Sequence, residues 1–227
     1  MTEFLVALAA FLLSHAVPAR PALRARLTGL FGERRYQLLY SALSLALLAW
    51  LISAAARAPH LPLWDWAIAQ YWAPVMMMLP AAILLVGGAI APNPLSISVS
   101  RRRFEPARPG IIAVTRHPIL WAFALWAFAH IVPNGDLVSL IMFGGFGLFA
   151  LIGMALIDRR KRRELGQEWP QLVRRTSVVP FAPSAETRLP WDWGGLALAT
   201  LAGTLLYAAF LYLHPWLFGP DPSAVLG

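Results

Sequence analysis

Residues 116–136 read RHPILWAFALWAFAHIVPNGD, and this stretch decides how the rest of the chain is interpreted. Pro118 suits the first turn of a helix, where no amide donor is needed, and the turn-forming residues 133–136 end the apolar run. The residues between them are apolar except for His130. The pattern predicts a membrane-type helix over 117–132 with a histidine at each end, and a rise of 1.5 Å per residue separates the two by roughly 20 Å.

Five further apolar stretches indicate that the whole chain is built in the same way. The 227 residues are 59% hydrophobic and only 13% charged, a composition outside the range of ordinary soluble domains. Runs of this length and polarity are typical of transmembrane helices. We therefore expect an all-α fold, a single integral membrane domain over 1–227 that forms a polytopic bundle of about six spans: Thr2–Ala19, Tyr36–Ala56, Ile68–Ala91, His117–Val132, Leu137–Ile157 and Trp193–Leu213.

The basic residues alternate from one connection to the next. Of the 19 in the chain, five lie within 20–35, five within 101–116 and eight within 159–188. These are the first, third and fifth connections between predicted spans, whereas the second and fourth connections contain only Arg57. Basic connections face the cytoplasm in multi-pass proteins. We therefore expect a multi-pass protein of the cell inner membrane, with both termini on the non-cytoplasmic side.

The net charge of +8 has to be interpreted by its position. In a soluble chain it would suggest nucleic acid as a partner, but here it lies in blocks between apolar spans. We expect no nucleic acid partner. The amphipathic stretch 158–181, which contains the run RRKRR, is expected to lie on the cytoplasmic surface of the bilayer, where basic side chains meet anionic lipid.

Three of the five histidines lie within predicted spans: His117 is the first residue of the fourth, and His15 and His130 lie inside the first and the fourth. An ionisable side chain inside a span is a functional hypothesis, because its desolvation requires a partner. The alternative is that each is neutral and hydrogen-bonds within the helix bundle. Two neutral imidazoles from different helices, in surroundings rich in aromatic side chains, are also the ligand set that bis-histidine haem iron requires.

His117 and Arg116 stand at a helix start on the basic side of the chain. A helix N-terminus beside an arginine favours an anion or an anionic cofactor, and a capping role for His117 is the alternative. Depth along the helices pairs His15 more naturally with His117 than with His130, so this reasoning alone leaves the choice of pair open. The chain contains no cysteine, which excludes disulfides and thiolate ligands.

Three stretches together resemble one family of bacterial membrane proteins. They are SHAVPARPALRARLTGLFGERRYQLLYSALSLALL, beginning at Ser14; GIIAVTRHPILWAFALWAFAH, beginning at Gly110; and DRRKRRELGQEWPQLVRRTSVVPF, beginning at Asp158. They resemble the NnrU family, which is similar to the 15-cis-ζ-carotene isomerases of plants and cyanobacteria. The RHP start and the later ELGQEW also resemble, more distantly, the isoprenylcysteine carboxyl methyltransferases and sterol reductases.

The resemblance implies a haem b protein with His15 and His130 as the axial ligands of the iron. It implies either isomerisation of a hydrophobic polyene, in which case the protein is an enzyme, or a redox role associated with denitrification, at nitrite or nitric oxide reductase. The more distant resemblance implies a lipid methyltransferase or reductase with a cofactor at the cytoplasmic face, near Arg116 and His117. A non-enzymatic assembly factor for a respiratory complex is the third possibility. The identity of any hydrophobic substrate or protein partner stays open.

Overall fold

The computed structural model describes residues 1–16 and 21–227, and their secondary structure is helical, which confirms the expected all-α class. No β-strand is present among these residues, apart from a single bridge between Pro62 and Asp136. The α-helices are α1 (Thr2–Ala16), α2 (Pro21–Phe31), α3 (Glu33–Ala56), α4 (Trp72–Ile90), α5 (Pro118–Asn134), α6 (Leu137–Leu165), α7 (Glu168–Val173) and α8 (Trp193–Phe218). Short 3₁₀ turns cover Ile68–Tyr71, Gly110–Ala113 and Pro222–Val225.

Each of the six predicted spans corresponds to an apolar helix. Four are long and apolar enough to cross a membrane, namely Glu33–Ala56, Ile68–Ile90, Leu137–Leu165 and Trp193–Phe218, and the other two are the shorter helices α1 and α5. Large apolar side chains on these helices face outward, such as Leu205 and Tyr212 of α8, 63% and 75% exposed. Exposed apolar surface of this kind suits lipid contact. The predicted end of the first span, 17–19, and Arg20 lie outside the described residues.

Helix α5 begins where its sequence predicts but extends slightly further than predicted. Pro118 occupies its first turn, and Gly135 ends it in the left-handed conformation, with φ 64° and ψ 12°. Glycine adopts this conformation without the clash that a Cβ would cause. The helix continues through Pro133 to Asn134, two residues beyond the predicted end at Val132.

Helix α6 is longer than the span predicted for it. The prediction ends at Ile157, where the charged residues begin, but the helix continues through the basic run to Leu165. Arginine, lysine and glutamate are good helix formers, and Glu164 adds ion pairs to Arg160 and Lys161 within the helix. Gly166, with φ 51°, follows the helix end. The first part of the predicted surface stretch is therefore continuous with the apolar span.

The chain divides into two compact units. The first comprises 1–64 and 136–142, and in it α1 and α2 each pack against α3. Phe4 of α1 and Leu51 of α3 are fully buried. The Glu3 carboxylate accepts hydrogen bonds from Arg57, at 2.6 Å, and from the indole of Trp50, at 3.2 Å, so polar contacts join α1 to the end of α3.

The second unit comprises 65–135 and 143–227 and is arranged around α4, which packs against both α5 and α8. Glycines make this close approach possible. A Cβ on Gly87 or Gly88 would lie 2.9 Å from Ile111 or 2.7 Å from Ile119, and one on Gly203 would lie 2.5 Å from the backbone of Ile83. These distances are shorter than van der Waals contact, so the packing requires the absence of a side chain at all three positions.

Candidate functional site

His130 lies near the end of α5 with its ring partly buried. Its Nδ1 is 2.7 Å from the carbonyl oxygen of Trp126, one turn earlier. A carbonyl only accepts, so Nδ1 carries the proton, and in the neutral ring the lone pair lies on Nε2. The ring stacks on Phe143 of α6, with centroids 5.4 Å apart and planes inclined by 30°, and it also contacts the ring of Trp126 at 5.6 Å.

His15 lies near the end of α1 in the other unit, and its ring is held in a closely similar way. Its Nδ1 is 2.8 Å from the carbonyl oxygen of Phe11, again one turn earlier. The hydroxyl of Ser14 donates to the same carbonyl at 2.7 Å. The ring contacts Phe11, with centroids 4.4 Å apart, and meets Tyr40 of α3 edge-on at 5.8 Å. This geometry also places the lone pair of the neutral ring on Nε2.

The two histidines therefore share one arrangement. Each has an aromatic residue four positions earlier, whose carbonyl accepts the Nδ1 proton and whose ring contacts the imidazole, and each meets a second aromatic ring from another helix. A ligating histidine typically donates its second N–H to such an acceptor, which fixes the tautomer. The donor set at each position is suited to a metal that binds neutral imidazole through Nε2, as haem iron does.

Arg116 and His117 lie at the start of α5, in a buried polar cluster that we call the Asp158 cluster: Asn93, Ser96, Arg116, His117 and Asp158. The Asp158 carboxylate accepts hydrogen bonds from Arg116 Nε, at 3.1 Å, and Nη2, at 2.6 Å, and from His117 Nε2, at 3.0 Å. His117 is completely buried, and its Nδ1 lies 2.7 Å from the hydroxyl of Ser96. Both ring nitrogens of His117 thus have partners within the chain.

The backbone beside the Asp158 cluster is held by Asn93. Its side-chain Nδ2 donates to the Arg116 carbonyl at 2.9 Å, and its side-chain Oδ1 accepts from the backbone amides of Leu95 and Ser96. One asparagine side chain thereby satisfies three backbone groups in a buried loop, which is what burial of such groups requires.

The chain after α7 covers the same end of α5. The Ser177 carbonyl accepts from the Arg116 backbone amide at 2.9 Å, and the Val178 carbonyl accepts from the indole of Trp121 at 2.8 Å. The amide of Phe181 donates to the Val114 carbonyl at 3.0 Å. These bonds join the connection after α7 to the start of α5, which is distant from it in sequence.

The predicted anion or cofactor site at Arg116 and His117 stays a prediction, and the structure shows that both side chains have partners within the chain. Arg116 is paired with a carboxylate of the same chain, and the side chain of His117 does not cap α5 although it occupies the N-cap position. In the segment 164–169, invoked for a methyltransferase or reductase, Glu164 is paired within α6 and Trp169 is buried.

Sequence reasoning did not identify Asp158 as a partner of this site. Its signal was present, since Asp158 is the first charged residue after an apolar span and precedes a run of five basic residues. An acidic residue at that position suggests a specific basic side chain nearby. Ser96 and Asn93 carry no comparable signal. Within the described residues, no group of three or more His, Asp or Glu side chains could hold a metal ion.

Known proteins support the resemblance seen in the sequence. The chain is 31% identical to the chloroplastic 15-cis-zeta-carotene isomerase of Arabidopsis thaliana over 126 residues and 30% identical to that of Zea mays over 122 residues. The matches cover 54% and 52% of this chain but only 34% and 33% of those proteins. No solved structure matches significantly. The family model described as "NnrU protein" matches residues 3–222, nearly the whole chain, so this membrane protein belongs to the NnrU family.

Proposed function

We propose that this protein is a carotene-isomerase-like enzyme that acts on a hydrophobic polyene and uses haem b, with His15 and His130 as ligands of the iron. The similarity to 15-cis-zeta-carotene isomerases supports the type of reaction and the substrate class. Rotation about a carbon–carbon double bond conserves atoms and electrons, so the net reaction requires no co-substrate. Apolar helices form an environment in which a long hydrocarbon can bind without desolvation of polar groups.

The observation that carries the proposal is the matched arrangement of the two histidines. Each donates Nδ1–H to the carbonyl four residues earlier, at 2.8 Å for His15 and 2.7 Å for His130. In its neutral form each ring therefore presents Nε2 as the nitrogen that can bind a metal. When bound, haem b supplies a redox-active iron in apolar surroundings.

His60 and His214 provide the matched controls. His60 is exposed, and His214 Nδ1 donates to the Pro220 carbonyl beyond the end of α8. His214 contacts Phe218, which lies four residues after it and not, as at His15 and His130, four residues before. We expect neither to bind iron.

The test begins with the protein purified in detergent from haem-replete cells, with absorption spectra recorded in the oxidised and reduced states. We expect a low-spin b-type spectrum that is lost in His15→Ala and in His130→Ala and retained in His60→Ala and His214→Ala. Incubation with 15-cis-ζ-carotene should then consume that isomer without changing its mass. A folded wild-type protein without haem would refute the cofactor, and a haem protein that leaves the carotene unchanged would refute the reaction.

Isomerisation and a denitrification-associated redox role both use the proposed haem, so the haem spectrum alone does not distinguish them. Further measurements on the same preparation and in cells separate the two roles. Nitric oxide binding by the reduced protein, together with loss of nitrite or nitric oxide reduction in cells that lack it, would favour the second role. We also propose the inner membrane as the location, since the basic connections suit insertion with their charges in the cytoplasm.

A further inference from the structure

The aromatic rings around His15 and His130 come from two sources. One ring of each pair belongs to the same helix, Phe11 for His15 and Trp126 for His130, and its backbone also supplies the carbonyl acceptor. The other ring comes from a different helix: Tyr40 of α3, at 5.8 Å from His15, and Phe143 of α6, at 5.4 Å from His130. Tertiary packing, and not the local helix alone, therefore brings the second ring into place.

The hydrogen bond and the second ring restrain different motions. A bond at Nδ1 selects the tautomer and fixes one atom, but the torsion about the Cβ–Cγ bond of histidine is broad. A ring lying against the face or edge of the imidazole opposes that rotation and therefore defines the plane. Phe143 is inclined by only 30° to His130 and covers its face, whereas Tyr40 meets His15 edge-on at 65°.

From these contacts we infer that Phe143 and Tyr40 are positioning residues, which set the planes of the two imidazoles that would bind iron. The inference rests on the proposed function for its ligand, but the restraint on each ring exists without it. Phe143 should have the larger effect, because a stacked ring limits rotation over a wider area than an edge contact does. Neither residue is expected to touch the iron.

The variants Phe143→Leu and Tyr40→Leu remove the ring and keep an apolar side chain of similar reach. Tyr40→Phe retains the ring and should behave as wild type. Phe123→Leu is the matched control on α5, since Phe123 is 49% exposed, and Tyr212→Leu, 75% exposed, is the matched control for Tyr40. All are compared in the full chain, after thermal unfolding has shown that they remain folded.

The first readout is the electron paramagnetic resonance spectrum of the oxidised haem protein, whose g values depend on the planes of the axial imidazoles. We expect Phe143→Leu to shift the g values, Tyr40→Leu to shift them less, and the exposed controls to leave them unchanged. Transfer of haem to an acceptor protein should be faster by on the order of tenfold in Phe143→Leu, as found when a group that orients a metal ligand is removed. Unchanged g values and unchanged transfer in Phe143→Leu would overturn the inference.

A second readout does not require haem. In the haem-free protein, ¹⁵N spectra of the histidine rings report the tautomer directly, and wild-type His130 should show a protonated Nδ1. Dipolar couplings within the same ring, measured by solid-state NMR, report its rotation: in Phe143→Leu we expect them to be averaged by motion about the Cβ–Cγ bond, while Phe123→Leu retains the values of a rigid ring. If the wild type binds no haem, the proposed function fails but the positioning of the ring is still decided here. Couplings in Phe143→Leu that are as large as those of the wild type would overturn it.

Discussion

At the residue scale, Asp158 is a carboxylate that is largely shielded from solvent and that accepts hydrogen bonds from two side chains immediately before α5. Its carboxylate serves Arg116 and His117 together, and the side chains of Arg116 and Asp158 are only 11% and 20% exposed. Burial of such an ion pair costs desolvation free energy, and removal of one partner lowers stability strongly because it leaves the other charge buried and unpaired. Its value therefore lies in holding together the start of α5 and the charged end of α6.

We expect Asp158→Asn to destabilise the protein by about 3 kcal/mol, because it leaves the Arg116 guanidinium buried without its counter-charge. The measurement is unfolding by sodium dodecyl sulfate in detergent micelles, followed by circular dichroism. Glu186→Gln is the matched control, since its ion pair with Arg174 is 61% and 48% exposed and should contribute about 1 kcal/mol or less. Equal stability of the two variants would contradict a structural role for the Asp158 cluster.

The sequence alone singles out the three histidines and Arg116 as candidates, but it does not identify most of the residues from other helices that contact them. His15, His130 and His117 attract attention because a polar ring in an apolar helix needs an explanation. The partner of His117 lies elsewhere in the chain, since Asp158 is 41 residues away, whereas the carbonyl acceptors of His15 and His130 lie one turn earlier in the same helices. Helical periodicity describes neighbours within a helix and carries no information on contacts between helices.

At the element scale, glycines decide which helices can approach one another closely. Gly203 of α8 faces the backbone of Ile83 in α4, and a Cβ there would lie 2.5 Å from the Ile83 Cα. Backbone cannot move aside as a flexible side chain can. A Cβ on Gly144 of α6, in contrast, would meet nothing within 4 Å.

We expect Gly203→Ala to destabilise the protein by about 2 kcal/mol, because the added methyl group overpacks the contact between α4 and α8. Gly144→Ala is the control with the same chemical change. It should be neutral or stabilising by up to about 1 kcal/mol, since alanine restricts the unfolded chain more than glycine does. Both are measured by the same detergent unfolding assay. A stable Gly203→Ala together with an unstable Gly144→Ala would reverse this assignment of contacts.

The spans themselves were predictable because hydrophobicity and turn residues are local properties. The start of α5 at Pro118 follows from the sequence alone, as does its termination among the turn-forming residues 133–136. The continuation of α6 to Leu165 was not predicted, because the change from apolar to charged residues marks the limit of the apolar layer and not the limit of the helix. Glycine pairs indicate close contacts, but only the structure shows that Gly87 meets Ile111 while Gly144 meets nothing.

At the scale of the whole molecule, charge is distributed more simply than contacts are. The three connections within 20–35, 101–116 and 159–188 hold all the basic residues but Arg57, and Arg57 is paired with Glu3. An unequal distribution of this kind governs the direction of insertion, because basic segments are not readily translocated. Organisation into two compact units is different, because it depends on which helices pack together and composition does not encode this.

The distribution of charge predicts that both termini lie outside the cytoplasm, and the chain is well suited to a direct test because it contains no cysteine. Single cysteines at Ala107 and Ala185, which are exposed in basic connections, should react with a membrane-impermeant maleimide only after the cells are permeabilised. A cysteine at the exposed Ala224 should react in spheroplasts that are still intact.

Moving positive charge tests the cause of this orientation. Arginines added beside Ala224, with those at 101–103 replaced by glutamine, should lower labelling at 224 and raise it at 107. Labelling of Ala107→Cys in intact spheroplasts of the unaltered chain would show that the basic connections face outward and that charge does not set the orientation.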